Sequence, residues 1–494
     1  MKLLILGTLA MIVPVGALCA GEHSDAPTVL LVPPAEPARL ASSSTWPWTP
    51  APLPEVPKWG EGEGRSYLIA ALDIVGFELA LNMFNREFNS EDVYRSSFSS
   101  ISDNLSRGWI IDNDPFATNQ FLHPIQGAMY HGFARSAGHG YWVSLAYDFA
   151  GSALWEVAGE TGPPSLNDQI TTSFGGSFLG EVMFRMSNYY LETGGEHPSW
   201  FRRFGAGVIA PSATFNRIAF GDRFDGILPS HDPAVYTRVG IGWRQNDKLG
   251  HADGASAGPR EATVVDVVMD YGLPGKPTYE YTRPFDYFHF EASAASSTNS
   301  MPEDVMVRGL LAGTSYEWGN SYRGVWGLYG GYDYISPEVF SVSSTSLSLG
   351  TTGQWWFTDS LALQGTLLGG VGWTAAGTVA DVQEERDYHY GVSPQTLGAL
   401  RCIFGNVAVL DMTGRGYYLN AVGTNSSTDY ETILRAKVAL TLRVFGQHGL
   451  GIQYVTSSRD ARYTDFVDTN QSIAAISLFY TYIGDTQFGA VDWR

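Results

Sequence analysis

The stretch TILRAKVALTLRV, residues 432–444, alternates with a period of two. Its even positions, Leu434, Ala436, Val438, Leu440, Leu442 and Val444, are apolar, whereas its odd positions carry Arg435, Lys437, Thr441 and Arg443. Alternation of this kind predicts a strand with two unlike faces. YRGVWGLYGGYDY (322–334) repeats the pattern, with Tyr322, Trp326, Leu328, Tyr332 and Tyr334 on one face and Arg323, Gly327, Gly331 and Asp333 on the other. LGIQYVTSSR (450–459) and SIAAISLFYTYIG (472–484) read similarly. Long strands with one apolar face and one small or charged face suit the wall of a barrel. About ten such strands fit between 282 and 484, and two weaker ones near 236–245 and 262–272 bring the total to twelve. An even number is expected of bacterial barrels.

Composition points the same way. Charged residues are 16% of the chain and aromatics 13%, with 56 glycines; soluble proteins average about 25% charged residues. Tyr and Trp cluster near strand ends (GQWWF, YDY), as in an interfacial girdle. The competing reading is a soluble β-sandwich, whose strands are usually only about five or six residues long. The net charge of −20 argues against nucleic acid as a partner.

The chain opens MKLLILGTLAMIVPVGALCAGEHS, one lysine before a short apolar run, which predicts a secretory signal peptide over residues 1–20. Cleavage falls after Ala17 or Ala20; a lipoprotein signal with Cys19 lipidated is the alternative. With Cys19 removed, Cys402 is the remaining thiol, so no internal disulfide forms. No run of 18 apolar residues follows the signal, and transmembrane helices are not expected. Residues 21–62 are proline-rich and read as an extended linker.

Residues 63–200 read as a helical domain and 201–494 as the antiparallel barrel, the period of two setting in near residue 204. Asp114-Pro115 looks like a helix start, Pro124 opens a second helix or kinks the first, and Ser165 with Asp168 resembles a capping box. Small residues recur at helical spacing in three stripes: Ala128, Gly132 and Ser136; Ala146, Ala150 and Ala153; and Gly176 with Gly180. Such stripes let helices approach closely. Asn119, His123, His131, Asp148, Glu156, Asp168, Glu181 and Arg185 interrupt the apolar pattern and, if buried, need partners. Glu181 and Arg185 are four apart, the spacing of an intrahelical pair. His123, His131 and His139 are spaced eight apart, a rise of about 12 Å that prevents two imidazoles from sharing an ion. No metal set is read and no cofactor is assigned. Gly-x-Ser-x-Gly, the P-loop and His-x-x-x-His are absent.

The run 109–187 carries DPF..NQ..HP..G..Y, GS..WE, PS.ND.I.T and GE...R. In these motifs it resembles the bacterial family of domain of unknown function 3943. The resemblance implies a Gram-negative envelope protein, often with a barrel-like C-terminal part, and no known activity. The matching residues are Asn119, His123, Glu156, Asn167, Asp168, Glu181 and Arg185. The leading expectation is therefore an outer-membrane barrel, exported through a cleaved signal peptide, with a periplasmic helical domain at its mouth. Its role would be binding or transport of an envelope component, with membrane lipid and a lipid or small anionic ligand as partners. Arg323, Arg415, Arg435, Lys437 and Arg443 would face the lumen and attract anions, unless acidic groups pair with them. The alternatives are an envelope enzyme using His123, Glu156 and Glu181 in the helical domain, acting on lipid or through a metal, and an architectural protein.

Overall fold

The computed structural model describes residues 57–88, 92–195, 197–248, 260–297, 302–378, 388–422, 428–463, 468–484 and 487–493. The signal segment and most of the linker lie outside the described residues.

Twelve antiparallel strands close into a barrel in which every strand pairs with its sequence neighbour. They are β1 Val235–Lys248, β2 Arg260–Tyr271, β3 Phe288–Ala295, β4 Asp304–Trp318, β5 Tyr322–Ile335 and β6 Phe340–Thr358, followed by β7 Leu361–Thr378, β8 Tyr388–Phe404, β9 Ala408–Val422, β10 Thr428–Phe445, β11 His448–Tyr463 and β12 Thr469–Ile483. β1 closes on β12 in unbroken register from Arg238↔Ile483 to Lys248↔Ile473. The expected alternation holds: on β10 Leu434, Val438, Leu442 and Val444 are exposed outward, while Arg435, Lys437 and Thr441 turn inward to partners in the lumen. Leu450, Ile452, Ile476, Leu478, Ile241, Leu367 and Val371 extend the exposed apolar face to other strands. Trp318, Trp355, Phe357, Phe404 and Phe445 stand on or beside the short turns of two or three residues at one end. This is the apolar belt and aromatic girdle of an outer-membrane barrel.

Before the barrel come α1 Tyr67–Phe88, α2 Phe98–Ser106, α3 His123–Ser136, α4 Tyr141–Leu154, α5 Leu166–Ile170, α6 Gly176–Glu192, α7 Trp200–Ile209 and α8 Pro211–Phe220. The boundary at residue 200 and the strand period from 204 are corrected: helices run on to Phe220 and the first strand begins at Val235. Ser199 caps α7 through the Arg202 amide and Pro211 stands in the first turn of α8, two start signals that the scattered aromatics of this stretch obscure. By length and composition alone, the α1 region, Gly62–Phe88, is long and apolar enough to cross a membrane. Asp73, Glu78 and Asn82 break the apolar run, but they face protein. The last linker residues are docked: Trp59 Nε1 donates to Arg135 O at 2.9 Å.

Helices α3 and α6 cross on glycine. A Cβ on Gly176 would stand 2.6 Å from the Gly127 Cα, and one on Gly180 would stand 2.9 Å from the Ala128 Cα. The stripe on α4 is different: Ala146 and Ala150 are exposed, and Gly151 meets the Tyr130 ring instead.

The helices do not occupy a barrel mouth; they pack on the outside of the wall. On β5, Asp333 faces Arg415 and Tyr417 across the lumen. Its neighbours point away: the Tyr332 hydroxyl donates to Gln120 O at 2.6 Å, and the Tyr334 ring meets Phe116 and Phe121. On β3, His289 and Glu291 face inward, while Phe288, Phe290 and Ala292 join the core formed with Phe178, Leu179 and Val182 of α6. An outward apolar or aromatic side chain has the same alternation whether lipid or helix covers it, so sequence periodicity does not separate the two.

Gly127→Val tests the crossing, because a Cβ there would stand 1.9 Å from Thr172 O, a backbone atom. The expected loss is at least ~3 kcal/mol, the upper range for overpacking. It would be read as a lowered unfolding midpoint of the helices, with the heat-dependent electrophoretic shift of the barrel retained.

Candidate functional site

The seven motif residues divide into two networks. The first forms around three π-helical turns: Thr118–Leu122 leads into α3, Trp155–Gly159 ends α4, and Thr171–Gly175 joins α5 to α6. Turns of this type are frequent at functional sites. Asn119 Nδ2 donates to Asp112 Oδ1 at 2.7 Å and to the Tyr388 hydroxyl at 3.0 Å. Asn167 Nδ2 donates to the same Asp112 oxygen at 2.7 Å and to the Tyr390 hydroxyl at 2.8 Å. Gln120 Nε2 also reaches Tyr390, at 2.9 Å. Ser165 Oγ accepts from the Asp168 amide, as its N-cap position predicts. The reciprocal bond is not made by Asp168, however: the Ser165 amide donates to Glu156 Oε2 at 2.8 Å. His123 Nε2 is 3.8 Å from Asp168 Oδ2, beyond hydrogen-bond distance. The network thus ties the helices to β8 through two tyrosines. Asp112 and these tyrosines carry no sequence signal of their own; strand alternation marks Tyr388 and Tyr390 only as outward-facing.

The second network centres on Glu181, which accepts from Arg135 Nε at 2.7 Å and Arg185 Nε at 2.7 Å. His131 lies between two acids, with Nδ1 2.8 Å from Asp148 Oδ2 and Nε2 3.1 Å from Glu181 Oε2. Arg185 continues to Asp286 Oδ1 at 3.0 Å, on the segment joining β2 to β3. With His131 protonated, three cations face three anions, all buried. Arg135 also lies between the rings of Trp59 and Phe184, at 4.8 and 4.7 Å. The expected Glu181–Arg185 pair is present, but Glu181 is engaged here rather than with His123 and Glu156. Among the described residues, no group of three or more His, Cys, Asp or Glu could hold a metal ion.

The five basic residues assigned to the lumen are all engaged. Arg415 binds Asp333, Arg435 binds Asp304 and Lys437 binds Glu291, each pair joining strands on different sides of the barrel. Arg443 and Arg323 lie against the rings of Phe488 and Trp493, at 4.7 and 5.6 Å. Arg401 joins Asp270 at 2.8 Å and Asp411 at 2.6 Å, an arrangement the sequence reading omits. Between these pairs lie cavities of about 60, 30 and 20 Å³. Residues 487–493, to which sequence assigns no role, fold back into the lumen at the short-turn end. There Gln354 Nε2 donates to Val491 O at 2.7 Å, Gln364 Nε2 donates to Gly489 O at 2.7 Å, and Trp356 Nε1 donates to Val491 O at 2.9 Å. Phe488 is fully buried among lumen residues such as Tyr236 and Ile483.

Residues 108–212, about a fifth of the chain, match the family model described as domain of unknown function (DUF3943). No curated protein matches the chain. Among solved structures, the NanC porin aligns at 11% identity over 49% of this chain and 98% of its own, with a TM-score of 0.26. The outer membrane channel DcaP of Acinetobacter baumannii aligns at 8% identity over 50% of this chain and 97% of its own, with a TM-score of 0.24. The COG4313 outer membrane channel from Pseudomonas putida F1 aligns at 11% identity over 52% of this chain and 96% of its own, with a TM-score of 0.28.

Glu181→Gln leaves the buried Arg135 and Arg185 without their shared counter-charge. Breaking a buried pair in this way costs about 3–5 kcal/mol. Denaturant unfolding monitored at the helical signal should register that loss, and a change below ~1 kcal/mol would mean that the network is hydrated or redundant.

Proposed function

We propose that this chain binds or conducts a small anionic or polar envelope component through its barrel, in a path that is closed at rest. The observation that carries this reading is the lumen itself. It is lined by ion pairs that bridge opposite walls, and its short-turn end is filled by residues 487–493. Arg401, Arg415 and Lys437 each hold a carboxylate that an incoming phosphate or carboxylate could replace. Such an exchange keeps the cation paired, and the displaced carboxylate, buried in the closed lumen, must take up a proton or turn to water as the anion enters. In bacterial barrels the short turns face the periplasm. The filled end is then periplasmic, and segment 1–20 serves as the export signal that is removed.

Planar-bilayer conductance tests the reading. Wild-type protein is expected to remain near the closed baseline. A chain shortened to end at Gly484, or Gln354→Ala combined with Gln364→Ala, should show resolved current steps that prefer anions. If the shortened chain still migrates as a folded barrel and passes no current, the lumen is not a conduit.

A further inference from the structure

We infer that the helical domain is embedded in the bilayer beside the barrel, with its outer surface in contact with lipid acyl chains. The reason is an inverted polarity that recurs on three helices. On α1 the buried side includes Asp73, Glu78 and Asn82, whereas Leu68, Leu72, Val75, Leu79 and Met83 are exposed. On α4 the buried side includes Ser144, Asp148 and Ser152, and the exposed side carries Trp142, Val143, Phe149 and Leu154. On α8 Ser212 and Asn216 are buried while Phe215, Ile218 and Phe220 are exposed. A helix on the surface of a water-soluble bundle has the opposite arrangement, with charge outside and an apolar stripe inside. Between Tyr67 and Met83, no exposed residue of α1 is charged. Exposed apolar residues that recur along a helix with no charge among them mark a surface covered by a partner or a membrane.

A second, independent observation identifies lipid as the occupant. The helical footprint adjoins the lipid-facing belt of the barrel on the same strand faces. Val371 on β7 and Val392 on β8 are exposed outward. Two residues farther along each strand, about 7 Å away, Trp373 and Tyr390 stack on each other, and Tyr390 bonds to Gln120 and Asn167 of the helical domain. The helical domain is therefore seated on a wall whose neighbouring outward residues form the apolar belt. Helix α1, with 22 residues, is about 33 Å long, close to the thickness of the hydrocarbon core. In this setting the pairing of Asp148, His131, Glu181, Arg135, Arg185 and Asp286 is a requirement, since ionisable groups inside a membrane are tolerated when they face protein and pair with one another. The helices then lie in the membrane and not in the periplasm, whether or not the lumen conducts.

The test uses the full chain with Cys19 and Cys402 replaced, reconstituted in phosphatidylcholine vesicles. Single cysteines at Leu72, Leu79 and Phe149 would carry an environment-sensitive fluorophore, with Leu442→Cys as the belt control and Arg462→Cys as the water-facing control. Brominated phosphatidylcholine should quench the three helical labels about as strongly as the Leu442→Cys label, while iodide quenches only Arg462→Cys. Quenching by iodide and not by brominated lipid would overturn the inference by making the helices water-facing. Shielding from both quenchers would overturn it in favour of a covering second copy. Should the labelled variants misfold, a photoactivatable phospholipid is applied to the unmodified protein. Adducts on peptides 67–88 and 141–154 then support the embedding, and adducts confined to barrel peptides overturn it.

Discussion

The closed hydrogen-bond ladder is the constraint from which the rest of the structure follows. In hydrocarbon an unpaired backbone amide or carbonyl costs several kcal/mol, and only a helix or a sheet without edges avoids that cost. Joining β1 to β12 leaves no edge. Closure then requires strict alternation, because each strand has one face toward the belt and one toward the interior. Outward positions become Leu, Val, Ile and aromatic residues, and inward positions accept charge. Twelve strands enclose more space than small apolar side chains can fill. Arginine and lysine, long enough to reach acids on other strands, fill much of it.

Charge pairing is handled alike in the two halves of the molecule. Across the lumen, Arg401, Arg415, Arg435 and Lys437 each meet a carboxylate. Within the helices, Glu181 meets two guanidinium groups and an imidazole. In both places removing one partner leaves a buried charge, so the pairs are interdependent. The two halves are joined by the Arg185–Asp286 ion pair and by neutral polar contacts: the hydroxyls of Tyr332, Tyr388 and Tyr390 meet the backbone and amide side chains of the π-helical turn that contains Asn119 and Gln120. Residues 487–493 are held in a similar way, with glutamine side chains and an indole satisfying backbone carbonyls that would otherwise lie unpaired in the lumen.

Much of this was legible in the amino-acid order. Alternation in 432–444 and 322–334 was enough for strands and their faces, because a strand's side chains depend only on local geometry, and the count of about twelve came from repeating that reading over 236–484. Asn119, Asp168, Glu181 and Arg185 stood out because polar residues inside apolar helices must find partners, whereas Asn167 stood out only through the motif resemblance. The helices α7 and α8 were obscured, since exposed Trp200, Phe204 and Phe215 break the amphipathic pattern expected of a water-facing helix. If those faces meet lipid, the same substitution of apolar for polar explains why the usual pattern is missing.

Local periodicity, capping residues and composition by themselves determined that the chain has a helical part, a twelve-stranded barrel and inward-facing basic residues. Tertiary structure alone decided which acid each of those bases meets, that Glu181 and His123 belong to separate networks, that the helices lie outside the wall, and that residues 487–493 return to the lumen. The physical reason is range. Alternation and helix capping act over a few residues, whereas Lys437 finds Glu291 and Asn167 finds Tyr390 across 146 and 223 positions of chain. Those meetings are set by barrel closure and by the angle at which glycine lets two helices cross.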